Sequence, residues 1–195
     1  GDGADTADDH DQQDLIGHGA LEAQRLHGAH VHGQHTAAHT GEHAQHDSKE
    51  RMIRCPNCNN MIFPRISPAV IVAVTDGDRL LLSKYAGRDY TRYALLAGYA
   101  EIGETIEQTV HREVLEEVGL QVKNLRYYKS QPWGVDGNIL MGFFCDVDGD
   151  KTIHIDETEL SMADWYDRNA LPAHDDGISL TREMIRIFEE GKEPK

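Results

Sequence analysis

The chain has 195 residues and a formal net charge of -15 at pH 7, with 34 acidic residues against 19 Lys and Arg. Its length allows one domain with a sizeable core and a small extra module. The acidic balance argues against non-specific attraction to nucleic acid or to an anionic membrane. Its three cysteines do not make a disulfide framework, and we find no apolar run of membrane-span length and no signal-peptide h-region. We therefore expect a cytoplasmic protein without membrane association.

Residues 1–48 differ in composition from the rest of the chain. They hold nine of the twelve histidines and are rich in Asp, Gly, Ala and Gln. Their few bulky apolar residues cannot offset the entropy lost on ordering so long a segment. We predict a disordered segment, or a loosely attached helix around residues 15–26. The alternative is a metal site formed by His35, His39 and His43, which stand at helical spacing.

Residues 49–66 are predicted to form a partial zinc-ribbon knuckle and a linker. Cys55 and Cys58, in Cys-Pro-Asn-Cys, have the spacing at which two thiolates hold one Zn2+ ion. A closed structural site needs four ligands, and Cys145 is expected to be a small buried hydrophobe in a strand. A Cys2His2 site that borrows from the histidine-rich segment, a partial site and the relic of a lost ribbon all remain open. We favour the relic.

Residues 67–195 are predicted to be the main domain, in which strands pack between two helices. Apolar and β-branched runs predict strands at residues 69–74, 79–83, 93–97, 125–130 and 139–146, and a short edge strand at 152–155. Residues 105–118 favour a helix that Gly119 ends, and residues 179–190 form an amphipathic helix. This arrangement predicts an α/β or α+β sandwich.

The first of these helices carries an acidic cluster. Glu113, Glu116 and Glu117 stand at i, i+3 and i+4, so their carboxylates share one face beside a row of valines that can pack on a core. Three like charges destabilise a bare helix, and a divalent cation reverses that effect. Hard oxygen ligands suit Mg2+ or Mn2+. A solvated acidic face is the alternative interpretation.

A longer pattern surrounds the acidic cluster: G-x5-E-x7-R-E-U-x-E-E-x-G-U, in which U is aliphatic. It begins at Gly98 and ends at Leu120, and all nine specified positions are filled. By this pattern the chain resembles the Nudix hydrolases. The resemblance implies a mixed-sheet α/β/α sandwich and the hydrolysis of a nucleoside diphosphate linked to another group.

A second resemblance narrows the substrate. Ser130-Gln-Pro-Trp133 matches the SQPW motif of the NADH pyrophosphatase branch, and Cys55-x-x-Cys58 matches the second knuckle of that branch's zinc ribbon. Two departures stand beside these matches: the first knuckle is absent, and the branch's Pro-Phe-Pro-x-Ser is replaced by Gly-Val-Asp-Gly-Asn at 134–138. The resemblance implies cleavage of NADH or NAD+ to nicotinamide mononucleotide and AMP, with NAD-capped RNA as a further substrate.

The same resemblance implies site roles, carried over position by position. Metal ligands would be Glu113, Glu116, Glu117 and Glu159, with the Ala97 carbonyl completing a coordination shell. Phe63 and Tyr99 would sandwich the base of the dinucleotide, and Gln131 and Trp133 would belong to the specificity motif. Glu117 is the first choice and Glu116 the second for the general base. The relatives also imply a homodimer.

Several of these residues have structural interpretations as well. Trp133 is more often a core anchor than a reader of substrate, because backbone can satisfy its indole N–H, and Arg112 is expected to orient the glutamates rather than to bind phosphate. Glu159 could be a surface acid, and Phe63 and Tyr99 could be ordinary core residues. Two rival functions remain: hydrolysis of another nucleotide, such as ADP-ribose or a dinucleoside polyphosphate, and nucleotide sensing without cleavage.

Overall fold

The computed structural model describes residues 45–46, 49–50, 52–87, 92–133, 137–172 and 179–195. These residues fall into two compact units that divide between Ile66 and Ser67. The predicted disorder and histidine site of residues 1–48 lie, apart from Gln45–His46, outside the described residues and stay predictions. Within the described part of the chain, no helix is long and apolar enough to cross a membrane.

The smaller unit contains a three-stranded antiparallel sheet in the order β1-β2-β3. Its strands are β1 (Gln45–His46), β2 (Ile53–Arg54) and β3 (Met61–Ile62). The turn between β2 and β3 contains Cys55, whose N–H donates to the Asn60 carbonyl at 2.9 Å and whose carbonyl accepts the Asn59 N–H at 2.9 Å. The segment predicted as a knuckle is thus the connection of a small hairpin.

The larger unit is built on a six-stranded mixed sheet. Its strands are β4 (Ser67–Asp76), β5 (Arg79–Tyr85), β6 (Leu96–Tyr99), β7 (Gln121–Trp133), β8 (Asn138–Asp148) and β9 (Leu160–Asp167). They are ordered β7-β8-β4-β5-β9, with β6 also paired to β4. Strands β4 and β8 run parallel, and the other pairs of this sheet are antiparallel. The apolar run at 69–74 is buried in β4, in the middle of the sheet, as expected.

Two helices cover the faces of this sheet. They are α1 (Ile106–Val118) and α2 (Leu180–Glu189). The three valines of α1, at 110, 114 and 118, are fully buried in one core cluster. On the opposite face, α2 contributes Leu180, Met184 and Phe188 to a second core cluster. The expected α/β/α sandwich with a mixed sheet is therefore confirmed.

Both ends of α1 follow the rules of helix capping. At the start, the Gln108 N–H donates to the Thr105 hydroxyl at 3.2 Å, and the Thr105 N–H donates to the Gln108 side-chain oxygen at 2.8 Å. This reciprocal pair is a capping box. At the other end, Gly119 has φ of 70° and its N–H donates to the Leu115 carbonyl at 3.0 Å. Glycine fits this left-handed position without steric cost.

The structure differs from the strand predictions in three places. The strand predicted at 93–97 is observed as β6, Leu96–Tyr99. Residues 152–155 do not form an edge strand. Instead, the His154 N–H donates to the Val118 carbonyl at 2.9 Å, so this segment satisfies the end of α1 rather than a sheet. Strand β9 was not predicted. The sequence of Leu160–Asp167 does not alternate clearly between apolar and polar residues, and the burial along the strand is mixed.

The capping box gives a stability prediction. Thr105→Ala removes the side-chain acceptor for the Gln108 N–H, and we expect it to lower the free energy of unfolding by about 1 kcal/mol. Thr105→Ser keeps the hydroxyl and should lose a few tenths at most. Urea unfolding followed by circular dichroism measures both variants. Equal losses in the two would contradict a capping role for the hydroxyl.

Candidate active site

Two glutamates of α1 are buried against strand β6. Glu113 is 8% exposed and Glu117 is 1% exposed, although both side chains are acidic. A Cβ atom at Gly98 would lie 1.9 Å from the Glu113 carboxyl carbon. A side chain at this position would require the Glu113 carboxylate to move, so the glycine allows that carboxylate to lie directly on the strand. The acidic cluster is therefore part of the packed interior rather than a solvated helix face.

The Glu117 carboxylate is only partly satisfied by hydrogen bonds. Its Oε1 accepts the Ala97 N–H at 3.3 Å. Its Oε2 is buried and has no hydrogen-bond partner among the described residues. Burial, followed by the charges of Glu113 and Glu159, raises the pKa of Glu117 well above the usual range of a glutamate. An unpaired carboxylate oxygen in this position is costly unless a ligand meets it.

Arg112 connects the acidic residues to one another. Its Nε donates to Glu104 at 2.6 Å, and its Nη1 donates to Glu113 and Glu116 at 2.9 Å each. Its Nη2 donates to the Tyr99 carbonyl at 2.8 Å. These contacts confirm the expectation that Arg112 orients the glutamates. The hydrogen bond from Arg112 is the main cause that lowers the pKa of Glu104 to about 2.

Arg112 does not cancel the effect of burial on Glu113. Desolvation raises the pKa of Glu113 to about 7, and the opposing charge of Arg112 is the second contribution. Glu116 differs from its two neighbours, because its side chain is 60% exposed. The i, i+3, i+4 spacing placed all three carboxylates on one face, but only the i, i+4 pair faces the core. Whether a glutamate of this face is buried or exposed depends on the position of β6, which the spacing along the helix does not predict.

The other two candidate metal ligands come from different elements. Ala97 lies in β6, beside the Glu117 carboxylate that its N–H contacts. Glu159 is exposed and precedes β9, and its charge contributes to the raised pKa of both Glu113 and Glu117. Within the described ranges, no three His, Cys, Asp or Glu side chains already converge as a metal-ligand group.

The residues predicted to read the substrate lie on the opposite face of the sheet. Tyr99 and Trp133 pack on the α2-side core cluster. Gln131 is two residues before Trp133 in β7 and therefore shares its face. Trp133 is buried, as one interpretation held, and its indole N–H has no hydrogen-bond partner among the described residues.

Asn138 is a polar residue of this region that the sequence did not single out. It is 5% exposed, and its Nδ2 donates to the Tyr99 hydroxyl at 2.6 Å. In the β7–β8 register it lies directly opposite Trp133. The available signal was the departure from the SQPW-type motif, since Asn138 stands where that motif carries Ser.

The remaining candidates belong to the smaller unit. Phe63 is 50% exposed there, and the expectation that it and Tyr99 sandwich the base of the dinucleotide stays a prediction. Cys55 is buried and Cys58 is exposed, and both are free thiols. Hydrogen bonds from the backbone N–H groups of Cys58 and Asn57 lower the pKa of the Cys55 thiol, which suits a thiolate. Cys145 is fully buried in β8, as expected. Zn2+ binding stays a prediction.

The buried pair fits a hard divalent cation. The unpartnered Oε2 of Glu117 supplies a preformed oxygen donor, and the carboxylate of Glu113 is buried one helical turn away. Oxygen donors of this kind are those that Mg2+ and Mn2+ prefer. A cation among them would favour the charged forms of carboxylates that burial disfavours.

The contact between Gly98 and Glu113 gives the second prediction. Gly98→Ala forces the Glu113 carboxylate away from β6, and we expect a loss of about 1–3 kcal/mol in the free energy of unfolding. In a Glu113→Ala background the clash is gone, so the same change should cost little. Chemical unfolding of the four proteins of this double-mutant cycle measures the coupling. Equal costs of Gly98→Ala in the two backgrounds would contradict the packing described here.

Comparison with known proteins places this site in a family context. The NUDIX domain model matches residues 65–187. Curated relatives named NAD-capped RNA hydrolase NudC include the protein of Erwinia tasmaniensis, 41% identical over 144 residues, which are 73% of this chain and 55% of the relative. The one from Pasteurella multocida is 44% identical over 124 residues, 63% of this chain and 47% of the relative. The chain spans about half the length of the curated relatives it matches.

Solved structures agree on the fold. A NUDIX hydrolase from Nitrosomonas europaea superposes with a TM-score of 0.62 at 22% identity, covering 71% of this chain and 79% of that one. A NUDIX-family hydrolase from Clostridium perfringens gives a TM-score of 0.54 at 17% identity, covering 66% and 99%. Nudix hydrolases generally use divalent metal ions. With the family model spanning most of the chain and the same sandwich found in these structures, the chain belongs to the Nudix family.

Proposed function

We propose that this chain is a divalent-metal-dependent hydrolase of the pyrophosphate in NADH and NAD+, giving nicotinamide mononucleotide and AMP, and that it also acts on NAD-capped RNA. The observation that carries the proposal is the buried pair Glu113 and Glu117, with one unpartnered carboxylate oxygen, inside a complete Nudix pattern. The names of the curated relatives support the choice of substrate. The metal is proposed to be Mg2+ or Mn2+.

The residues of the site divide into three proposed roles. Glu113, Glu117 and Glu159 hold the cation, with the Ala97 carbonyl and the exposed Glu116 as further ligands. Arg112 fixes the direction of the Glu113 and Glu116 carboxylates through its two 2.9 Å hydrogen bonds. The bound cation would neutralise charge on the pyrophosphate and acidify a nearby water molecule.

Glu117 is the proposed general base. In the hydrolysis, a water oxygen bonds to one phosphorus, the bridging P–O bond breaks, and a proton of the water passes to a carboxylate. Glu117 is the first choice because one oxygen of its buried carboxylate has no hydrogen-bond partner among the described residues and is therefore open to accept that proton. Glu116 is the second choice, because it is exposed and already accepts a hydrogen bond from Arg112.

Tyr99, Trp133 and Gln131 are proposed to select the dinucleotide. The buried indole N–H of Trp133, which lacks an acceptor among the described residues, supports a polar contact with a ligand. The homodimer is proposed from the resemblance alone, and the cytoplasmic setting from cysteine usage.

The proposed base gives the third prediction. Glu117→Gln keeps the shape of the side chain but cannot accept the proton, so we expect Mg2+-dependent turnover of NADH to fall by about 100-fold or more. Glu107→Gln, an exposed change on the same helix, is the matched control and should leave turnover unchanged. Products are identified by chromatography after incubation with NADH, NAD+, ADP-ribose and diadenosine polyphosphate, each with Mg2+ and with EDTA.

Each outcome of that experiment has a definite meaning. Mg2+-dependent release of reduced nicotinamide mononucleotide and AMP supports the proposal. Preference for ADP-ribose or a dinucleoside polyphosphate contradicts the proposed substrate while keeping the hydrolase chemistry. Ligand binding without cleavage of any of the four supports the sensor instead. Near-normal turnover in Glu117→Gln removes this residue from the base role.

A further inference from the structure

The segment that leads into β9 is fastened to the end of the glutamate-bearing helix. The Asp156 N–H donates to the carbonyl of Glu117 at 2.9 Å, and the His154 N–H donates to the Val118 carbonyl at 2.9 Å. The last carbonyls of a helix have no partners within the helix. Here this segment satisfies the carbonyls of Glu117 and Val118, so the backbone of Asp156 is tied to the backbone of Glu117 itself.

Asp156 also closes a tight turn around Glu159. Its carbonyl accepts the N–H groups of Glu159 at 3.1 Å and of Leu160 at 2.8 Å. Its carboxylate Oδ1 accepts the N–H of Thr158 at 2.8 Å and the hydroxyl of Thr158 at 2.6 Å. The Ala86 N–H donates to the Glu159 carbonyl at 2.8 Å. The backbone on both sides of Glu159 is thus fixed.

Glu159 is therefore held in place from the same helix that carries the buried pair. Glu159 is far from Glu113 and Glu117 in sequence, but its backbone is joined to the end of their helix through Asp156. Nothing in the Nudix pattern of residues 98–120 specifies this approach. A ligand supplied by a separate loop needs an element that keeps its distance to the helix constant.

We propose that Asp156 is a positioning residue, which fixes Glu159 relative to Glu117 through the bond to the Glu117 carbonyl and the turn closed on Thr158. The inference rests on the proposed function, in which Glu159 is a ligand of the divalent cation. Asp156 itself does not contact the cation or the substrate. Its carboxylate acts only by holding the turn in shape.

The chain contains a matched control for this proposal. Asp150 makes the same kind of turn with Thr152, because its Oδ1 accepts the Thr152 N–H at 3.0 Å and the Thr152 hydroxyl at 2.8 Å. This turn precedes the segment that contacts α1 and holds no candidate ligand. Each of the variants Asp150→Ala and Asp156→Ala therefore removes two hydrogen bonds of the same kind. Those of Asp150 lie away from Glu159 in the chain, whereas those of Asp156 lie in the turn that contains Glu159.

The experiment measures Mn2+ affinity by electron paramagnetic resonance on the full chain without substrate. We expect Asp156→Ala to weaken Mn2+ binding about 10-fold, within the range for residues that orient metal ligands. Asp156→Asn keeps the acceptor oxygen and should restore affinity to within about 3-fold of the wild type, while Asp150→Ala should not change it. In a Glu159→Gln background, Asp156→Ala should cause no further loss.

Several results would overturn the proposal. They are wild-type affinity in Asp156→Ala, an equal loss in Asp150→Ala, and an undiminished loss in the Glu159→Gln background. Circular dichroism melting of the two Asp→Ala variants separates a general loss of folding from a local effect. If the wild type binds Mn2+ but cleaves no dinucleotide, the proposed function is overturned. The role of Asp156 is then still decided by the Mn2+ affinities of the variants.

Discussion

Two carboxylates buried side by side against a strand are the constraint on which the rest of the site depends. Glu113 and Glu117 lie between α1 and β6 with little access to water. Burial raises the pKa of Glu113 to about 7, which corresponds to a cost of roughly 3 kcal/mol for the charged form of this side chain. Gly98 makes this burial sterically possible, and Arg112 gives Glu113 a partner. A protein selected for stability alone would place apolar side chains here.

The surrounding elements hold the buried pair, Glu113 and Glu117, in its position. The valines of α1 bury the helix in one core cluster, and a capping box and a glycine fix its two ends. The segment before β9 then attaches to the end of the helix through the N–H groups of His154 and Asp156. The cost of charging the pair would be offset by a bound cation, which connects its stability directly to the proposed chemistry.

The sequence predicted those features that depend on local patterns. The apolar run at 69–74, the helix that ends at Gly119 and the row of valines all follow from periodicity and capping, and the structure contains them. Residues 152–155 were expected in a sheet because of their apolar alternation. That alternation does not reveal that the His154 N–H bonds to the Val118 carbonyl at the end of α1. Strand β9 was missed because its burial is mixed.

The site was predictable to a similar degree. Spacing placed three glutamates on one face, but the difference between buried Glu117 and exposed Glu116 depends on where β6 lies. The hydrogen bond between Asn138 and the Tyr99 hydroxyl joins residues on two strands that are not neighbours in the sheet. Contacts of this kind arise from tertiary packing, which local patterns do not encode.

The most direct test of this account compares the melting temperatures of the wild type and Glu117→Gln, each in EDTA and in saturating Mg2+. We predict that the variant melts at the same temperature as the wild type or higher in EDTA, because a buried carboxylate is gone. In Mg2+ at about 100 times its Kd, the wild type should gain about 2.7 kcal/mol, and the variant much less, so the wild type becomes the more stable protein. An equal Mg2+ effect on both proteins, or none on the wild type, would contradict the claim that the buried pair binds a cation.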